Sequence, residues 1–243
     1  MKTRAHKGFT LIELIVVISI IALLVGIIGP SVSKVRELGF KAKSTAAIQE
    51  LASGAMQYKS EYNYYPLQAG WPSSTQKASR YFGASMLGYI VTSTNNDPLD
   101  PSVAPIPVSL RHDRKPFIAE SNDRFLNATT TIKSNRKTGA TVSAPEYTPL
   151  DQWKKGDEMA VLYYPSNIGN DGGLTSTSPA FTLNANDFYT DGQPLPHNNS
   201  GKLKMVDDKF GASNERAFNS DSFLLIAAGP DGEYFTEDDI KNF

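Results

Sequence analysis

Cysteine is missing altogether from this chain of 243 residues. Disulfides and thiolate metal sites are therefore excluded, and loops exposed outside the cytoplasm must be pinned by other means. Histidine is scarce, with His6, His112 and His197 the only three. None stands in a partnered motif, and HExxH, GxSxG and Walker-type loops are all lacking. Acid pairs such as Asp207-Asp208 read as solvated turns rather than catalytic dyads. An excess of either charge is lacking too, with 24 basic and 25 acidic residues, so nothing marks a nucleic-acid binder. The expectation is a protein that is not an enzyme. A membrane-anchored periplasmic hydrolase is the competing class, and it would need a visible acid–base site.

Charge is scarcest where it says most. From Phe9 to Pro30 the run FTLIELIVVISIIALLVGIIGP holds one charged residue, Glu13. As a helix these 22 residues would span roughly 33 Å, enough for a bilayer core. Lys2, Arg4 and Lys7 precede them, a basic flank that should stay on the cytoplasmic side. A secretory signal peptide would show a small-residue cleavage site after the apolar run; here the run continues into more helical sequence. A plain anchor leaves Glu13 without a role. A carboxylate in lipid costs on the order of 2–3 kcal/mol when central and less near the interface, and it usually has a partner.

Gly8-Phe9-Thr10-Leu11-Ile12-Glu13, behind a basic leader and ahead of an apolar run, resembles the signal of type IV pilins and of type II secretion pseudopilins. The resemblance implies cleavage between Gly8 and Phe9 by a prepilin peptidase and N-methylation of the new Phe9 amine. It gives Glu13 the assembly role. The physics agrees, because a paired charge in lipid is cheaper than a lone one, so Glu13 selects a neighbour whose Phe9 amine lies level with it. Implied partners are further copies and other pseudopilins in a filament, an inner-membrane assembly platform, and the membrane itself. The implied location is the bacterial inner membrane, single-pass, with the body in the periplasm or on an extracellular filament. Both a pseudopilus and a true type IV pilus for adhesion, motility or DNA uptake use this signal.

Beyond Pro30 the sequence reads as an amphipathic helix. Val32, Val35, Leu38, Ala42, Thr45, Ile48, Leu51, Ala55, Tyr58 and Tyr62 recur at three- and four-residue spacing. Pro30, beside Gly26 and Gly29, reads as a kink or locally melted point, with a helix stop as the alternative. The expected organisation is a leader at 1–8, a transmembrane and assembly helix at 9–30, its amphipathic continuation at 31–62, and a loop-rich β body at 63–243. The fold class is α+β, with a long N-terminal helix packed on a small antiparallel sheet.

Most of the 18 glycines and 15 prolines lie in that body, as turns and short strands require. Met159–Tyr164 reads as a strand stopped by Pro165. Trp71, Phe82, Leu87 and Ile90 suggest a short helix on the sheet, Asn170–Gly173 and Asp191-Gly192 suggest turns, and 129–141 reads as polar and mobile. The chain ends SFLLIAAGPDGEYFTEDDIKNF. Phe223–Ala228 reads as a buried strand, Gly229–Gly232 as a turn, and Glu237, Asp238 and Asp239 return carboxylates to it. Hard oxygens on a loop suit calcium, but the spacing is not that of an EF-hand. A turn followed by a short terminal helix capped by Asp238 reads equally well. The ending also resembles the calcium loop of major pseudopilins. That resemblance implies Asp231 and Asp239 as ligands, Asp238 as a weaker one, and carbonyls near Ala228 completing the shell.

Overall fold

The computed structural model describes residues 8–67, 78–89, 115–119, 124–174, 178–183, 185–187, 189–190, 192, 195–196, 205–207 and 216–243. The expectations placed on His6, His112, His197, Trp71, Ile90, Asp191 and Asp208 lie outside them. The chain divides into two compact units, Met1–Gly39 and Phe40–Phe243, and helix α1 (Leu11–Tyr62) contributes to both.

In the first unit the backbone stays helical through position 30, so the helix does not stop there. Every large apolar side chain from Phe9 to Ile28 is 48–83 % exposed. The stretch is long and apolar enough to cross a membrane by length and composition. Ser19 within it and Ser31 just beyond it are accommodated cheaply, because their hydroxyls donate to the Ile15 and Ile27 carbonyls one turn back.

In the second unit α1 buries Ser44, Ala47, Ile48, Leu51, Ala55 and Tyr58, the three- and four-residue spacing of one helix face. The buried face thus begins at Ser44. Val32, Val35 and Leu38, which the periodicity placed on it, are 41 %, 67 % and 66 % exposed. The helix ends in an aromatic cluster. Tyr58 packs against Tyr62, Tyr64 and Phe117 at ring separations of 4.6, 5.9 and 5.3 Å. The tyrosine-rich sequence there is covering for the body.

Two strands form the centre of the body, β3 (Leu162–Pro165) and β6 (Phe223–Ala227). They pair antiparallel from Leu162↔Ile226 to Pro165↔Phe223, and every residue of both is buried. A short β7 (Ile240–Lys241) adds to the other edge of β6. Pro165 does not stop β3 but closes it, which an edge strand tolerates because its missing N–H can lie on the unpaired side. Helix α2 (Ala78–Met86) packs on β3, with Phe82 stacked on Tyr163 at 4.1 Å. Ser79 and Asn186 tie this layer. The Ser79 hydroxyl donates to Asn186 Oδ1 at 2.8 Å and accepts from the Tyr163 N–H at 3.0 Å, and Asn186 returns a bond to the Tyr163 carbonyl. Gly83 lets α2 approach another segment closely, since a Cβ there would overlap the Tyr147 carbonyl.

The stretch at 129–141 is not irregular. Its ends pair as a hairpin of β1 (Thr130–Lys133) and β2 (Thr141–Ala144), from Thr130↔Ala144 to Lys133↔Thr141. A further short pair joins β4 (Val206–Asp207) and β5 (Arg216–Ala217). The Asn170–Gly173 turn forms as expected, with Gly172 at φ +84° and its N–H donating to Asn170 Oδ1.

Candidate functional site

Gly8 and Phe9 precede α1 as exposed, non-helical residues. Thr10 is the N-cap. Its N–H and its hydroxyl both donate to Glu13 Oε2, at 2.9 and 2.7 Å, while the Glu13 N–H points back at Thr10 Oγ1 at 3.4 Å. This is a capping box, in which two orphan donors of the first turn are satisfied reciprocally. A carboxylate in the first turn also complements the helix dipole. Phe9, Ile12, Val16 and Val17 lie beside Glu13, which is itself exposed. Sequence reasoning assigned Glu13 to assembly and missed its cap. The signal, a threonine three residues ahead of a glutamate before an apolar run, was present.

The C-terminal loop runs from Ala228 to Asp239, between β6 and β7. Asp239 is buried, and both its oxygens accept bonds from the loop. Oδ2 takes the Phe235 N–H at 2.7 Å and the Thr236 N–H at 3.3 Å, and Oδ1 takes the Gly229 N–H at 3.4 Å. Burial pushes its carboxyl up to about 7 against those donors, and the charge of Asp231 adds to the rise. Asp238 Oδ1 accepts the Thr236 hydroxyl at 2.6 Å and Oδ2 accepts the Asp231 N–H at 3.1 Å. Asp231 Oδ1 accepts the Glu233 N–H at 2.9 Å. Burial acts to raise Asp238 as well, but these bonds outweigh it and hold the group below its ordinary range.

A calcium shell needs several of these oxygens to converge. Among the described residues no three acidic side chains form a group that could hold a metal ion. The backbone oxygen implied at Ala228 faces a different cation. Arg136, in the turn between β1 and β2, donates Nη1 to the Gly229 carbonyl at 2.8 Å and to the Ala228 carbonyl at 3.4 Å. As they stand, Asp231, Asp238, Asp239 and Ala228 do not fit the ion the resemblance implied. The carboxylates organise the loop's own N–H groups instead.

Arg136 and Asp151 are residues that sequence reasoning missed. They form an ion pair with side chains only 9 % and 0 % exposed. Burial pushes the Asp151 carboxyl up to about 6, against Arg136 and the N–H groups of Met159 and Trp153.

The family described as the prokaryotic N-terminal methylation motif matches residues 3–29. No curated protein and no solved structure matches the chain. The match covers most of the basic leader, Gly8, Phe9, Glu13 and the apolar stretch up to Gly29, so the chain carries the prepilin signal of type IV pilin-like proteins. With that signal go processing by a prepilin peptidase and filament assembly in general, and the apolar helix is consistent with a single-pass membrane anchor.

Proposed function

We propose that this protein is a structural subunit of a type II secretion pseudopilus, cut between Gly8 and Phe9 and assembled through its N-terminal helix. One observation carries the reading: a single carboxylate, Glu13, in a stretch whose large apolar side chains, from Phe9 to Ile28, are all exposed within the chain. Such a surface needs lipid or neighbouring copies around it, and the lone charge needs a cation there. The new Phe9 amine of an adjacent copy supplies one. The body then faces the periplasm, and the role is structural rather than catalytic. A chain without cysteine, with its C-terminal strand and loop held by buried non-covalent contacts, supports the pseudopilus over the pilus.

The true type IV pilus is the second reading. It is favoured by the length between Pro66 and β6, which leaves room for surface decoration. Glu13→Ala tests the shared part. The variant should remain in the membrane fraction and lose its leader, while sheared filaments fall by on the order of tenfold or more, as loss of a buried charge pair implies. Normal filament yield would refute the pairing. Deleting the gene in its host separates the two systems. Loss of protein secretion supports the pseudopilus, and loss of motility, adhesion or DNA uptake with intact secretion supports the pilus.

A further inference from the structure

The Arg136 guanidinium is held on every side by groups that fix it. Nε donates to the Asp157 carbonyl at 2.8 Å, Nη1 to the Gly229 and Ala228 carbonyls, and Nη2 to Asp151 Oδ2. Its plane lies over the Trp153 ring, 4.7 Å from the centroid, and Trp153 in turn packs on Phe40 of α1 at 5.5 Å. Asp151 is itself anchored, with its carbonyl accepting the Ser44 hydroxyl of α1 and its N–H donating to the Met159 carbonyl. The backbone joins in. The Arg136 N–H donates to the Gly232 carbonyl at 2.9 Å, and Gly232, at φ +72°, has no room for a Cβ beside Arg136. At the rim, Glu233 receives Lys137 at 3.1 Å and Asn135 at 3.4 Å.

We propose that Arg136 is the cation that closes the C-terminal loop, so that closure needs no divalent ion. The chemistry suits a guanidinium. Two adjacent carbonyls, a third carbonyl and a carboxylate surround a planar fork of donors that cannot lose its charge. The two carbonyls lie at the start of the loop, where β6 ends. The arginine ties them to the β1–β2 turn, and through Asp151 and Trp153 to α1. A terminal segment with no disulfide thereby gains a fixed attachment to three other parts of the body. The inference is independent of the filament reading.

The full chain in detergent micelles tests it, at constant pH, with calcium added and with a chelator. An ion that closed the loop, present at 100 times its dissociation constant, would raise the Tm by about 5–11 °C. The expected result is the same Tm in both conditions. Arg136→Lys keeps the charge and removes the fork. It should speed amide exchange at Gly229, Phe235 and Thr236 by tenfold or more while leaving exchange in β3 within about twofold, since opening of the loop is local. A calcium-dependent rise in the wild type, or unchanged loop exchange in Arg136→Lys, would overturn the proposal.

Discussion

Residues 11–28 and residues 44–58 belong to one helix and obey opposite rules. In the first stretch every large apolar side chain is at least 48 % exposed; in the second, Ile48, Leu51, Ala55 and Tyr58 are at most 7 % exposed. Backbone and hydrogen-bond pattern are the same in both, so helicity says nothing about environment. What differs is where the apolar surface goes. The second stretch spends it on the chain's own core, and the first presents it to something outside the chain. A lesion in the first should therefore damage processing or assembly and spare folding. A lesion in the second should do the reverse.

The largest effect that sharpens this contrast is all-or-none. Gly8→Val places a branched side chain at the cleavage position of the prepilin signal. Mass spectrometry should find only the uncleaved chain, with an unchanged Tm for the body. A lowered Tm would show that the N-terminus supports the body after all. Next comes Leu51→Ala in the buried stretch. Removing a fully packed leucine costs about 2–5 kcal/mol. For a unit of this size that lowers the Tm by roughly 4–20 °C, while leader removal continues normally.

How much of this was legible differs between the regions for the same reason. The N-terminal site is contiguous. Gly8, Phe9, Thr10 and Glu13 carry their chemistry in sequence order, and the apolar run is visible without knowledge of any fold. The Arg136 site is assembled from afar, with partners 15 and 93 positions away at Asp151 and Gly229. No local pattern announces it. The hairpin around it was equally hidden, since β1 and β2 each bury only one residue, Ile132 and Ala144, too few for an alternating pattern to stand out. By contrast β6 buries all five of its residues and was plain as an apolar run. The C-terminal acids read two ways because carboxylates that cap a loop's own N–H groups and carboxylates that hold calcium are spelled alike.

Acidity probes the body through Asp151. The Asp151 carboxyl is moved by burial from its ordinary 3.8 to about 6. Its folded-state affinity for a proton exceeds the unfolded one. Its contribution to stability is therefore fully present below about pH 4 and is lost as pH rises through about 6. A shift of about two units corresponds to about 3 kcal/mol at most. Between pH 6 and pH 4 the wild type should gain stability relative to Asp151→Asn, read as the difference between their denaturant midpoints. A difference that moves the other way would mean that the ion pair with Arg136 outweighs the cost of burying the carboxylate.

The smallest effect is the most discriminating. Steps of three and four residues link Leu38 to Leu51, but thirteen residues at about 100° each turn them roughly 140° apart on the helix, and Leu38 is 66 % exposed where Leu51 is 5 % exposed. If the whole run of apolar steps marked one buried face, Leu38→Ala would cost as much as Leu51→Ala. With the observed exposure it should change stability by no more than about 0.5 kcal/mol, a Tm shift of under about 2 °C. The same substitution then asks what the exposed face is for. Filament yield that falls while the Tm holds would place Leu38 against a neighbouring copy. Yield and Tm both unchanged would confine the assembly surface to the apolar stretch before Pro30. A Tm loss as large as that of Leu51→Ala would erase the division of α1 between the two units.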